Sequence, residues 1–246
     1  MAIRTNRNIR LLGLAAVTSA ALVTAACTTS GAKSSGRTPG STSGANATPS
    51  PSPSPTPFTG TKLKSMLVTT VPTGFKLDAK ATGDSGDALQ LPSTGPIAPK
   101  SKCGSLNATS FITTTGMSGV SFAQSDYTDA KQNEISQEID TFGPGITTTV
   151  MTRIRQVFAQ CAKFSYKAAG VTASEQVKVS TVAGLGDEAV RAVITAPQFI
   201  GGTTLVVARV GDNVVSAFYN DTTGSYDDGH INDLVRKIVA RVKTGA

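Results

Sequence analysis

The sequence predicts an α+β fold: a mainly antiparallel sheet with amphipathic helices packed on one face, forming a single domain after a disordered tether. Three observations predict it. Four segments rich in β-branched residues succeed one another between Glu175 and Asn220, with Gly201-Gly202 and Gly211-Asp212 supplying tight-turn chemistry between the later ones. Ile146–Cys161 and the segment from Ile231 to Val242 each repeat apolar residues at three- and four-residue spacing, which makes one apolar face per helix. Residues 28 to 60 hold almost nothing but Thr, Ser, Gly, Ala and Pro. Such a segment has too little apolar surface to offset its ordering entropy, so it stays disordered.

The elements follow in chain order. Arg4, Arg7 and Arg10 precede an apolar run from Leu11 to Thr24. At about 1.5 Å per residue the run spans roughly 21 Å, short of the ~30 Å hydrocarbon core. Residues 1–26 therefore read as a signal peptide and not as a permanent span. Val23-Thr24-Ala25-Ala26-Cys27 resembles a bacterial lipobox, with Thr24 standing where an aliphatic residue is usual. The resemblance implies lipidation of Cys27, and two acyl chains on one residue anchor stably where a single chain does not. Residues 27–60 form the tether, and its run from Pro49 to Pro57 favours polyproline II.

From 61 to 246 the chain reads as one folded unit, long enough to bury a substantial core. Lys62 to Val68 reads as a short helix. Gly119–Tyr127 and Asn133–Thr141 alternate as strands about a turn at Thr128–Lys131. After the helix at Ile146–Cys161, strands are expected at Glu175–Val182, Glu188–Thr195, Thr203–Val210 and Asn213–Asn220. Asp227 or Asp228 is the expected N-cap of the last helix, and Arg236, Lys237, Arg241 and Lys243 suit its C-terminal half.

Beyond Cys27, only Cys103 and Cys161 remain. In an exported domain two such cysteines are expected to pair. Closing a loop of that length stabilises by about 4 kcal/mol in the loop-entropy account. The net charge of +7 is no argument for nucleic acid: five of the 23 basic residues precede residue 61, leaving 18 basic against 16 acidic residues beyond it. Gly83-Asp84-Ser85-Gly86-Asp87 imitates a serine-protease nucleophile segment, but His230 is the only histidine and no histidine-bearing motif precedes Ser85. A solvated loop is the expectation there. The turn GLGDEA from Gly184 to Ala189 lacks the Gly-Lys-Ser/Thr of a phosphate loop. Asp227, Asp228 and Asp233 lack EF-hand spacing. No cofactor, metal site or catalytic set is expected. Alternation makes Arg209 and Tyr219, with Arg191, candidate ligand-binding residues on an open sheet or cleft, if helices cover the other faces.

The ordered set VPTGF, Pro99-Lys100-Ser101-Lys102-Cys103, FAQCAKF, GLGDEA and the hairpin TLVVARVGDNVVSAFYN resembles actinobacterial lipoproteins related to the extracellular sensor domain of mycobacterial PknH-type receptor kinases. The resemblance covers roughly Lys62 to Lys243. It implies an antiparallel sheet with helices packed on it, a central cleft for a ligand, and commonly two disulfides where this chain has cysteines for one. The expectation is a non-enzymatic sensor-like domain held by a lipid anchor on the extracytoplasmic face of the cell membrane. There it would bind an envelope ligand or protein. The alternatives are a carrier of an apolar envelope lipid or an envelope hydrolase.

Overall fold

The computed structural model describes residues 56–168, 170–224 and 229–245. The leader, Cys27, most of the tether and the expected N-cap at Asp227 or Asp228 lie outside them. In chain order the elements are α1 (Gly60–Met66), β1 (Lys76–Leu77), β2 (Gly83–Asp84), β3 (Ser93–Thr94), β4 (Met117–Ser118), β5 (Ser121–Thr128), β6 (Glu134–Thr141), α2 (Ile146–Gln160), β7 (Lys163–Ala168), β8 (Val171–Thr181), β9 (Glu188–Thr195), β10 (Gly202–Val210), β11 (Asn213–Asp221) and α3 (Gly229–Thr244). Two 3-10 stretches, Lys100–Asn107 and Phe111–Thr115, lie between β3 and β4. Among the described residues no helix is long and apolar enough to cross a membrane.

The main sheet runs β1-β5-β6-β11-β10-β9-β8-β7, with β2 also against β5, and every pairing is antiparallel. β7 through β11 form a meander, and β5–β6 is a hairpin whose second strand lies against β11. The connection holding α2 therefore carries the chain from β6 to the far edge at β7. β7 was not expected from sequence. Two residues separate it from the end of α2, and its apolar alternation, Phe164 and Tyr166, is too short to stand out from the helix before it.

An α+β fold on an antiparallel sheet is what the structure shows, but the helices do not share a face. Leu63 and Met66 of α1 join Ile231, Val235 and Ile238 of α3 over Ala123, Ile139, Val206, Ala208, Val215 and Ala217. Val150, Met151, Ile154 and Phe158 of α2 cover the other side, over Ala192, Ile194, Leu205, Val207, Val214 and Phe218. The reason lies in β10, where residues 203–208 are buried without interruption. A strand that is apolar on both faces needs a cover on each.

Local chemistry explains how these layers are held. Thr59 caps α1 by accepting from the Lys62 N–H, and Phe58 packs against the α3-side core, so the fold begins slightly before residue 61. Where α1 ends, Gln137 of β6 accepts from the Val68 N–H at 2.9 Å and donates to the Val68 carbonyl. Arg241 of α3 donates to the Met66 and Leu67 carbonyls. On the α2 side Cys103 and Cys161 form a disulfide with Cα atoms 5.6 Å apart. GLGDEA is a turn docked on the β10–β11 hairpin. At Gly186, φ is +68° and a Cβ would stand 2.3 Å from the Arg209 carbonyl oxygen, so only glycine fits.

Candidate functional site

Register decides where the sequence-selected residues stand. In an antiparallel pair, directly opposed residues share a face. Arg209 opposes Val214 and Glu188, which puts it on the α2 side, whereas Tyr219 opposes Thr204 and Ile135 on the α3 side. Arg191 opposes Val206 and Ser180, also on the α3 side but two strands from Tyr219. The three residues therefore do not form one surface. Alternation within a strand was legible in sequence, but the pairing that relates one strand's faces to the next was not.

Arg209 is engaged structurally. It donates to Glu188 and Asp187, each at 3.1 Å, and Arg155 of α2 donates to the second Glu188 oxygen at 2.6 Å. Partial burial pushes the Glu188 carboxyl up, but the two guanidinium hydrogen bonds outweigh it and hold the group below its ordinary value. This triad ties α2 to the sheet. Glu175 behaves oppositely: burial raises its carboxyl above the ordinary value, against an opposing hydrogen bond from Asn107 at 2.7 Å. The half-buried tyrosine beside it, Tyr166, is raised by desolvation and then by the Glu175 charge.

Tyr219 lines a pocket of about 340 Å³. The floor is Ile135 and Tyr219, directly opposed on β6 and β11. Val71, Pro72 and Phe75 supply one wall, from the loop after α1, and Ile231 and Leu234 of α3 supply the other. Thr70, His230, Asp233 and Lys237 form the polar rim. Asp233 is ion-paired with Arg236. The Lys237 side chain has no hydrogen-bond or ion-pair partner among the described residues. The wall is held by the Val68–Gln137 amide pair and by the Tyr127 hydroxyl, which donates to the Val68 carbonyl at 3.3 Å. Of the pocket residues only Tyr219 is among those the sequence selects as candidates; Ile135 and the VPTGF wall are not. The Pro-Thr-Gly turn was visible as a turn, without any sign of what it would face.

The remaining candidates resolve simply. The Ser85 hydroxyl accepts from the Phe122 N–H at 3.1 Å, while the Ser85 N–H donates to the Phe122 carbonyl at 3.0 Å. Asp84 pairs with Lys64 at 3.0 Å and receives the Gly86 N–H. These two bonds hold its carboxyl below the ordinary value, the lysine contributing most. Gly83–Asp87 is therefore a pairing loop on the edge of β5. On the α2 face, Asp126, Glu138 and Asp140 stand on β5 and β6 with Glu134, and Thr109 donates to Asp126 at 2.8 Å. Among the described residues no group of three or more His, Cys, Asp or Glu side chains is arranged to hold a metal ion. Asp227 and Asp228 lie outside those residues.

No protein-family model matches the chain, and no curated protein matches it. Its fold is similar to the crystal structure of the extracellular domain of PknH from Mycobacterium tuberculosis, with a TM-score of 0.54 at 9% sequence identity. The match covers 77% of this chain and 98% of that one. At this identity the likeness is one of fold.

Proposed function

We propose that the chain is an exported lipoprotein, anchored through Cys27, whose folded domain binds a ligand or partner group without transforming it. The pocket carries the binding reading. Its apolar walls and few polar rim groups are the composition expected of a preformed ligand site. Its volume is at the small end of the roughly 300–1,000 Å³ range for such sites. A ring or a short acyl segment suits that space, and the bulk of a diacyl lipid does not, which counts against the carrier alternative. Two observations support export: the disulfide, a bond that persists in oxidising compartments, and a fold shared with an extracellular domain.

The pocket is tested with an environment-sensitive apolar fluorophore on the purified chain. Wild-type protein should bind it, and Val71→Trp, which fills the mouth from a loop, should weaken binding by about tenfold or more. Equal binding by both proteins would discard the pocket as the site. The anchor is tested by detergent-phase partitioning and intact mass. Wild-type chain from cells should enter the detergent phase carrying acyl mass, and Cys27→Ala should stay in the aqueous phase.

A further inference from the structure

Beyond the edge of α3, the sheet face formed by β7, β8 and β9 carries no covering element among the described residues. The α2-facing positions of these strands hold Phe164, Tyr166, Ala192 and Ile194, so the alternate positions face the other way. On β7 those are Lys163, Ser165 and Lys167; on β8 they are Thr172, Ser174, Gln176, Lys178 and Ser180. All eight are exposed. Arg191, Val193 and Thr195 continue the face on β9.

Register sets the cations in a line. Arg191 opposes Ser180, one row from Lys178; Lys178 opposes Val193, one row from Gln176; and Gln176 opposes Lys163. Each step moves one strand across and one row along. With strands about 4.8 Å apart and rows about 6.8 Å apart, successive Cα atoms stand roughly 8 Å apart on a diagonal. Lys167 extends the line along β7. No carboxylate occupies this face of the three strands. The side chains of Lys163, Lys167 and Lys178 have no ion-pair or hydrogen-bond partner among the described residues.

We propose that this line of cations is a docking track for a linear phosphate polymer, with Lys163, Lys167 and Lys178 as its charge contacts. Four features select that partner. The cations stand in single file with hydroxyl and amide side chains alongside, which suits an extended chain better than a plane of headgroups. The exposed apolar side chains of β8, Val171 and Val179, belong to the opposite face, so nothing here inserts into a bilayer. The face has no aromatic platform, so it lacks the stacking contacts of single-stranded nucleic-acid binders. Lysines on the edge strand β7 would by themselves serve to discourage strand addition. Lys178 lies one strand in from the edge, however, and Arg191 two strands in, on the same diagonal.

The test measures binding of the full chain to long-chain inorganic polyphosphate over a salt series. Three phosphate contacts at about 0.7 counterion each predict a log–log salt slope of roughly −2. The triple variant Lys163→Gln, Lys167→Gln, Lys178→Gln should lose about tenfold or more in affinity and flatten that slope. A control of equal charge, Lys62→Gln, Lys100→Gln, Lys131→Gln, lies off this face and should bind as wild type. The arginine triple variant should keep binding, since the track reads charge. Equal loss in both glutamine variants would overturn the proposal in favour of general charge. So would binding to anionic phospholipid vesicles without binding to polyphosphate, or no binding at all.

Discussion

The two sides of the sheet bury similar apolar layers over β10 and β11, yet they are secured differently. On the α2 side the cover is cross-linked: the Cys103–Cys161 disulfide joins the first 3-10 stretch to the end of α2, and Arg153 donates to the Gly95 and Thr115 carbonyls at 2.6 and 3.0 Å. The Arg155–Glu188–Arg209 triad adds a third tie. On the α3 side the cover rests on interdigitated Ile, Leu and Val side chains, with Arg241 and Gln137 fixing the short α1 beside it. The disulfide side is the more constrained, and the side held by apolar contact carries the pocket. The two 3-10 stretches join the α2-side cluster through Leu106, Phe111 and Ile112 and need external fastening, because they bring little regular hydrogen bonding of their own. α3 is a regular helix, and its apolar stripe is enough.

Breaking the fastening should have the largest effect. Cys103→Ser with Cys161→Ser removes a 58-residue closure and should cost about 4 kcal/mol, lowering the unfolding midpoint by roughly 10 °C. Calorimetry with and without reductant checks this: wild type in reductant should approach the variant. On the other side, Ile238→Ala empties a fully buried position of α3 and should cost about 3 kcal/mol, read by denaturant midpoint. Its effect should not depend on reductant, which separates the two covers. Arg209→Ala leaves Glu188 one guanidinium and leaves the Asp187 carboxylate with the Gly211 N–H. It should cost about 1 kcal/mol, since these groups are partly solvated.

The smallest effects sharpen the contrast by pH. Glu188 is held below its ordinary value, so its stabilisation is present above the unfolded-state value and is lost as pH falls through the folded one. Glu175 is raised, so its contribution is complete below the unfolded-state value and is lost as pH rises through the folded one. Glu188→Gln should therefore flatten the acid limb of a stability–pH curve. Glu175→Gln should remove a decline on the side toward neutrality. Matching slopes in the two variants would contradict both assignments.

Much of the architecture was legible because it is local. The stripe Val150, Met151, Ile154, Val157, Phe158 marks α2 within a residue of its observed end, and Glu188–Thr195 is a strand with the bounds read from its β-branched run. The pocket was less legible. Val71, Phe75, Ile135, Tyr219 and Leu234 come from four separate segments, and nothing in the periodicity of any one segment refers to the others. Arg209 illustrates the same limit: a cation on an apolar strand suggests a binding face, but tertiary contact supplied Glu188, Asp187 and a structural role.

By itself the sequence determined the period of every long element, the turns that glycine permits and the availability of two cysteines to pair. Backbone geometry dictates these within a few residues. The tertiary structure decided which strand faces coincide, that helices cover both sides of β10, and that two lysines and an arginine from three strands stand on one diagonal. Those outcomes depend on register and on the side past which a crossover runs. Both are set by hydrogen bonds and apolar contacts between residues far apart in the chain, where local periodicity carries no information.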